Sequence, residues 1–268
     1  MDERNLENQK RQREQAFLTF TPFIRSCEVM ETYQNLLVEH KDNSEMVGAM
    51  KKRWHDIFDV RKKETGESGS QSDYGGFAAE LERIAKQMND WCESGEFTRE
   101  KLAALFAGSV IGDKLLARWS PKAGSRRPDG TFVINEVLEY KTSGTEDAEI
   151  GLNIFPTQVK GTAQLLGKVY EGLQKVAQEM QSGSLQHVKK VVMISWLFGP
   201  SFGDKVKQIF GDDIMLEDVP DESAFEVQKL ALSYNSRATA EYLTTGQLPP
   251  VRSLTMDNEE FVRKFGGA

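Results

Sequence analysis

The spacing of apolar residues changes along the chain, and the changes predict its elements. Up to about residue 119, apolar residues recur every three or four positions, which is the period of amphipathic helices. At 131–134 (TFVI) and 137–142 (VLEYKT) the composition becomes typical of β-strands. A long helical pattern and a strongly apolar run at 188–198 follow. The middle of the chain is therefore predicted to read α, β, β, α, β.

Thr98 is a good N-cap, and it predicts one helix that continues to about Trp119. Asp113 falls on the apolar stripe of this helix, where a buried carboxylate would need a partner. Further helices are predicted at 23–38, 44–60, 77–91, 157–180, 204–210 and 222–243, and a last one is capped by Asp257 with Glu260.

The predicted strands differ in their surroundings. The 188–198 run looks like a central strand that is buried. Asn135-Glu136 is a possible two-residue turn between the first two strands, which would set Glu139 opposite Phe132. Residues 143–156 are predicted to be a loop, and 64–76 have the Gly/Ser composition of a linker.

Composition narrows the function classes. The net charge of −7 argues mildly against a protein that coats nucleic acid, although it allows an enzyme that binds nucleic acid locally. No apolar run approaches a membrane span, and the N-terminus lacks the apolar segment of a secretory signal. Cys27 and Cys92 are isolated, which suits a reducing compartment. An intracellular protein, in cytoplasm or nucleus, is expected.

The candidate chemistry lies at Arg127-Pro128-Asp129-Gly130 and Glu139-Tyr140-Lys141. Glu139 and Lys141 are two apart on a predicted strand, so both side chains share one face. Carboxylates are ligands for Mg²⁺ or Mn²⁺, and Asp129 would supply a second one. A lysine can assist an attacking water or stabilise charge on a phosphate. A basic cluster precedes the motif, at Lys114, Arg118, Lys122, Arg126 and Arg127.

This Pro-Asp and Glu-x-Lys pattern resembles the signature of the PD-(D/E)xK nuclease superfamily over roughly residues 99–200. The resemblance implies a restriction-endonuclease-like αβββαβ core in which Asp129 and Glu139 bind metal and Lys141 is the catalytic lysine. Family members often add an acid from the first helix, for which Asp113 or Glu100 is placed. They also add polar residues from the helix after the lysine strand, where Gln158, Lys160 and Gln164 lie.

Two subfamilies compare with parts of the sequence. The Glu139-Tyr140-Lys141 segment followed by Gln164 and Tyr170 is similar to the RecB-like exonucleases. The segment around His55 resembles the His-Asp-x-Phe of viral cap-snatching endonucleases, in which the histidine is a metal ligand. A lone histidine on a helix is more often structural or exposed.

The sequence therefore predicts an α+β protein: a restriction-endonuclease-like core with a small mixed sheet flanked by helices, plus a helical N-terminal extension. The expected parts are the extension at 1–97, a core at 98–247 and a C-terminal tail with a short helix at 248–268. The expected function is metal-dependent cleavage of DNA or RNA, with Arg126, Arg127, Gln158 and Lys160 contacting substrate. The alternative is a non-catalytic interaction or nucleic-acid-binding protein, and residues 1–97 could bind a protein partner or self-associate.

Overall fold

A computed structural model describes residues 3–58, 75–119, 122–127, 130–143, 148–154, 162–199, 203–211 and 214–267. The chain divides into two compact units. The first comprises Met1–Trp119 with Lys229–Leu248, and the second comprises Ser120–Gln228 with Pro249–Ala268. None of the described helices is long and apolar enough to cross a membrane.

The α+β class is confirmed, because one unit is helical and the other contains a mixed sheet with helices packed on it. From the helix at Val110–Trp119 to the strand at Lys190–Ser195, the elements follow the order αβββαβ. The chain therefore has one more strand before its long helix than the sequence pattern predicts.

The helical unit is built around a core of aromatic side chains. The rings of Phe17, Phe23 and Phe106 lie within 5.4 to 6.1 Å of one another, and Tyr33 stacks on Trp54 at 4.1 Å. All five side chains are buried. The helices of this unit are α1 (Glu3–Thr19), α2 (Thr21–Glu39), α3 (Ser44–Phe58), α4 (Gly75–Ser94), α5 (Arg99–Ala107), α6 (Val110–Trp119), the end of α9 (Asp221–Tyr234) and α10 (Ser236–Thr245).

The segment predicted as one helix from Thr98 to Trp119 is two helices. The Thr98 cap is confirmed, since its side chain accepts a hydrogen bond from the Lys101 amide. The helix breaks after Ala107, and the Ser109 hydroxyl accepts from the amide of Gly112 in the next helix. Likewise, the predicted 222–243 helix divides at Asn235, whose side chain caps α10.

Within the described residues, six strands form one mixed sheet in the order β1-β2-β3-β4-β6-β5. All neighbouring strands are antiparallel except β3 and β4, which are parallel and are connected through α7 (Thr162–Ser182). The strands are β1 (Phe132–Val133), β2 (Leu138–Ser143), β3 (Glu149–Ile154), β4 (Lys190–Ser195), β5 (Leu216–Asp218) and β6 (Arg252–Asp257).

Three helices contribute to the core of the sheet unit: α7 (Thr162–Ser182), α8 (Gly203–Phe210) and α11 (Asn258–Phe265). Their apolar side chains form one cluster with alternate residues of the strands, such as Tyr140, Leu152 and Met193. The predicted cap of the last helix is confirmed, because the Asp257 carboxylate accepts from the Glu260 amide.

Two strand predictions differ from the structure. β3 lies inside the segment predicted as a loop, although its apolar residues Ile150, Leu152 and Ile154 alternate with non-apolar ones as in a strand. The 188–198 run does supply an interior strand, β4, but only one of its faces is buried in the core.

Asn135 organises the connection between β1 and β2. The connection spans residues 134–137, which sets Glu139 opposite Val133 rather than Phe132 as a two-residue turn would. The buried Asn135 side-chain oxygen accepts from the amides of Val137 and Leu138, and its nitrogen donates to the Lys168 carbonyl of α7. One side chain thus shapes the hairpin and attaches it to the helix.

α7 approaches this hairpin closely because it has a glycine at position 172. A Cβ at Gly172 would lie 2.8 Å from a methyl group of Leu138 and 3.0 Å from the Asn135 side-chain nitrogen. Leu138 is fully buried and Asn135 is held by hydrogen bonds, so neither side chain is free to move away. Gly167, in the same helix, has open space where a Cβ would be.

These two glycines give a matched test of the contact between the helix and the hairpin. We expect Gly172→Ala to destabilise the sheet unit by about 1–3 kcal/mol, because overpacking displaces the hairpin. Gly167→Ala should leave stability unchanged or raise it by up to about 1 kcal/mol through helix propensity. Urea unfolding of both variants measures the difference, and equal stabilities would contradict the close approach.

Candidate functional site on the open face of the sheet

Alternate residues of the strands point away from the helices and form a second face. Leu138, Tyr140 and Leu152 belong to the core, so their neighbours Glu139, Lys141 and Asn153 lie on the opposite side. Lys141 and Asn153 are exposed there, as is Thr255 on β6. We call this surface, made by residues 139, 141, 151, 153, 192, 194, 253 and 255, the open face.

Glu139 is buried at the β1 end of the open face and is paired with Arg127. The Arg127 Nε lies 3.0 Å from the Glu139 Oε2, and the two side chains are only 16% and 9% exposed. The Arg127 amide also donates to the Thr131 carbonyl, and this bond fixes the arginine beside β1. The pair leaves the carboxylate with a cationic partner supplied by the protein itself.

Arg126 lies on the other side of the sheet from Arg127. Its guanidinium donates to the Gly130 carbonyl and lies 5.9 Å from the ring of Phe132, which is part of the core face. On that side, burial raises the pKa of the Tyr140 phenol, and the nearby Arg126 charge opposes this shift. The two neighbouring arginines predicted to contact substrate therefore lie on opposite faces.

Gly151 lies in the middle of the open face and has no side chain, and we call the space that this leaves among its neighbours the depression. Lys141 is paired in register with Gly151, and Gly151 is paired with Val192. Of the atoms in the described part of the chain, only the Lys141 carbonyl oxygen lies within 4 Å of where a Cβ at Gly151 would be, at 3.9 Å, so the space around that position is open. Among the described residues, Lys141 makes no ion pair. The depression is thus bordered by an exposed ammonium, the Asn153 amide and an aliphatic side chain.

The other predicted site residues are not brought together with these by any described contact. Asp113 belongs to the helical unit, where it is half exposed and lies 3.1 Å from Arg13. It does not occupy a buried stripe, because the break at Ser109 turns α6 away from the predicted register. Asp129, Gln158 and Lys160 lie outside the described residues.

His55 and the two cysteines belong to the helical unit. His55 is largely exposed on α3, with its Nε2 3.7 Å from Glu93. Cys27 and Cys92 are both buried, and burial raises the pKa of each thiol to about 12. A thiol with so high a pKa is protonated at neutral pH and is a poor nucleophile.

The predicted Mg²⁺ or Mn²⁺ site is not supported by the donor set. In the parts of the chain described above, no group of three or more His, Cys, Asp or Glu side chains could hold a metal ion. Of the three predicted metal ligands, Glu139 is bound by an arginine, Asp113 pairs with Arg13, and Asp129 is outside the described residues. The residues present do not fit the predicted cation.

Gly151 and Asn153 were missed by the sequence prediction. Both lie in the segment predicted to be a loop, so neither was placed beside Lys141. The signal was the alternation of Ile150, Leu152 and Ile154 with non-apolar residues, which is typical of a half-buried strand.

No protein-family model matches the chain, and no curated protein matches it. Two similar solved structures are of an acyltransferase in complex with decanoyl-CoA, one of them also with teicoplanin. The first is 14% identical, with a TM-score of 0.36, and the match covers 81% of this chain and 79% of that one. The second is 14% identical, with a TM-score of 0.38, and the match covers 87% and 86%.

The nuclease prediction is therefore wrong. The residues predicted to hold the metal do not form a metal site in the described part of the chain, and the two solved structures above are of an acyltransferase and not of a nuclease. The order αβββαβ is the one that the resemblance implies, but Glu139 and Lys141 lie on the second of its three strands, so β3 separates them from the long helix that was expected to follow the lysine strand. The predicted family, metal cofactor and nucleic-acid partner are corrected together. The low TM-scores, however, give no ground for assigning the acyltransferases' reaction to this chain.

The ion pair predicts a strong coupling between Arg127 and Glu139. Removing either partner leaves a largely buried charge without compensation, so Arg127→Met and Glu139→Gln should each destabilise by about 3 kcal/mol. The double variant should be more stable than the sum of the two losses predicts, by about 1–3 kcal/mol.

Urea unfolding of the wild type, the two single variants and the double variant measures this coupling. Arg13→Met with Asp113→Asn is the matched control, because that pair is half exposed and should couple by less than about 1 kcal/mol. If the losses in the free energy of unfolding at Arg127 and Glu139 simply add, the two buried side chains do not stabilise each other.

Proposed function

We propose that this chain is an enzyme that binds an anionic small molecule on the open face, with Lys141 holding the anion and Glu139 serving as general base. The observation that carries the proposal is the depression at Gly151, where an exposed lysine borders space that no side chain of the described residues fills. The proposal is supported by the chemistry of the side chains and not by the likeness to other proteins.

The charges around the depression favour an anion. Glu139 is paired with Arg127, so its charge is balanced locally, whereas Lys141 has no such partner among the described residues. An ammonium with three donors is a suitable contact for phosphate or carboxylate oxygens. The side-chain amide of Asn153, one strand away, can donate or accept a further hydrogen bond.

The spacing also suits a base beside a bound anion. Glu139 and Lys141 are two residues apart on β2, or roughly 6.6 Å along the strand. A carboxylate at that distance can remove a proton from a nucleophile that attacks the molecule held by the lysine. Arg127 holds the Glu139 carboxylate in one position, which favours a defined geometry for this step.

Binding can be tested with two probes, inorganic phosphate and decanoyl-CoA. The second is suitable because it is strongly anionic and carries a reactive thioester. We expect calorimetric titration to show binding to the wild type and a loss of at least about tenfold in affinity for Lys141→Met. Gly151→Val should also weaken binding, because the valine side chain fills the depression. Valine is chosen because strands accommodate it well.

Lys175→Met is the matched control, since Lys175 is exposed on α7, which packs on the other face. It should bind both probes like the wild type. Circular dichroism and thermal unfolding would check that each variant is folded. Absence of binding to the wild type, or equal affinities for Lys141→Met and Lys175→Met, would overturn the proposal.

The role of Glu139 is tested by turnover of bound decanoyl-CoA with an added amine or hydroxyl acceptor. Thiol release should fall by about a hundredfold or more in Glu139→Gln, because the amide cannot accept the proton. Affinity of the folded variant for the probe should change little, so a loss of turnover without a loss of binding separates the role as base from the expected loss of stability. A variant that retains the wild-type rate would exclude Glu139 as the base while leaving the binding site intact.

A further inference from the structure

β4 has apolar residues on both of its faces, although among the described residues of the sheet unit the helices pack on only one of them. Val191 and Met193 belong to the core, whereas Val192 is partly exposed and Ile194 is 37% exposed on the open face. Strands that are apolar on both sides are typical of sheets covered on both faces. The two aliphatic side chains therefore lie on a face whose other exposed members are Lys141, Asn153 and Thr255.

The register connects these aliphatic residues to the lysine. Lys141, Gly151 and Val192 form one row across three neighbouring strands, so Lys141 and Val192 are roughly 10 Å apart. The row is open between them, because Gly151 has no side chain. Ile194 is two residues further along β4 and extends the aliphatic surface roughly 6.6 Å along the strand.

We infer that the anion bound at Lys141 carries an alkyl chain, which crosses Gly151 and packs against Val192 and Ile194. This inference rests on the proposed function and specifies its substrate class as an amphipathic anion. The charge of Lys141 complements the head, and the aliphatic pair complements the chain. Two exposed aliphatic residues are far less surface than a stable protein interface buries, which favours a small ligand.

The test compares ethyl phosphate with hexyl phosphate, which have the same head and different chains. Each methylene that is removed from water should raise affinity about fourfold, so hexyl phosphate should bind the wild type at least about tenfold tighter. Ile194→Thr keeps a β-branched side chain and should remove most of the difference in affinity between hexyl phosphate and ethyl phosphate. Its affinity for ethyl phosphate should be unchanged, because the head contacts Lys141.

Val38→Thr is the control, since Val38 is an exposed β-branched residue of α2 in the helical unit. It should retain the full preference for the longer chain. The wild type could bind the two phosphates equally well, and Lys141→Met could bind neither. That result would overturn the inference and leave the proposed function standing. A preference that Ile194→Thr retains would also overturn it. If neither phosphate binds the wild type, both this inference and the proposed function are rejected.

Discussion

The close contact between α7 and the hairpin of β1 and β2 determines which side of the sheet is covered. At Gly172 the helix backbone approaches Leu138, and Asn135 donates to the helix carbonyl of Lys168. Because residues alternate along a strand, covering the side of Leu138 and Tyr140 leaves Glu139 and Lys141 on the other side. The position of every candidate site residue on β2 follows from this one packing contact.

The pairing of Glu139 with Arg127 changes what its carboxylate can do. In the predicted metal site this carboxylate faced a divalent cation and was helped by a second acid. In the structure its cationic partner is a guanidinium of the protein, at 3.0 Å and largely buried. A buried charge needs such compensation in order to be stable, so the arginine next to the Pro-Asp pair has a structural reason to be there.

The open face combines three properties. It presents a lysine without an ion-pair partner among the described residues, a glycine that leaves space, and two aliphatic side chains on the neighbouring strand. A surface that receives an amphipathic anion has a physical reason for all three features.

The sequence by itself determined the local features of this protein. Helical periodicity, the Thr98 and Asp257 caps and the β-rich runs predicted most elements and the α+β class, because caps and amphipathic faces depend on neighbouring residues. It also identified Glu139 and Lys141 as sharing one face, since alternation is a local property of a strand.

Only the tertiary structure decided which groups the candidate residues contact. The helix break at Ser109 places Asp113 on the surface, and the four-residue connection at 134–137 sets Glu139 opposite Val133. The pairing of β3 with β2 brings Gly151 beside Lys141, and that pairing joins residues that are separate in sequence. The partners of a residue across neighbouring strands depend on register and packing, which no short sequence pattern specifies. For this reason the nuclease motif was wrong, although the strand that carries it was confirmed.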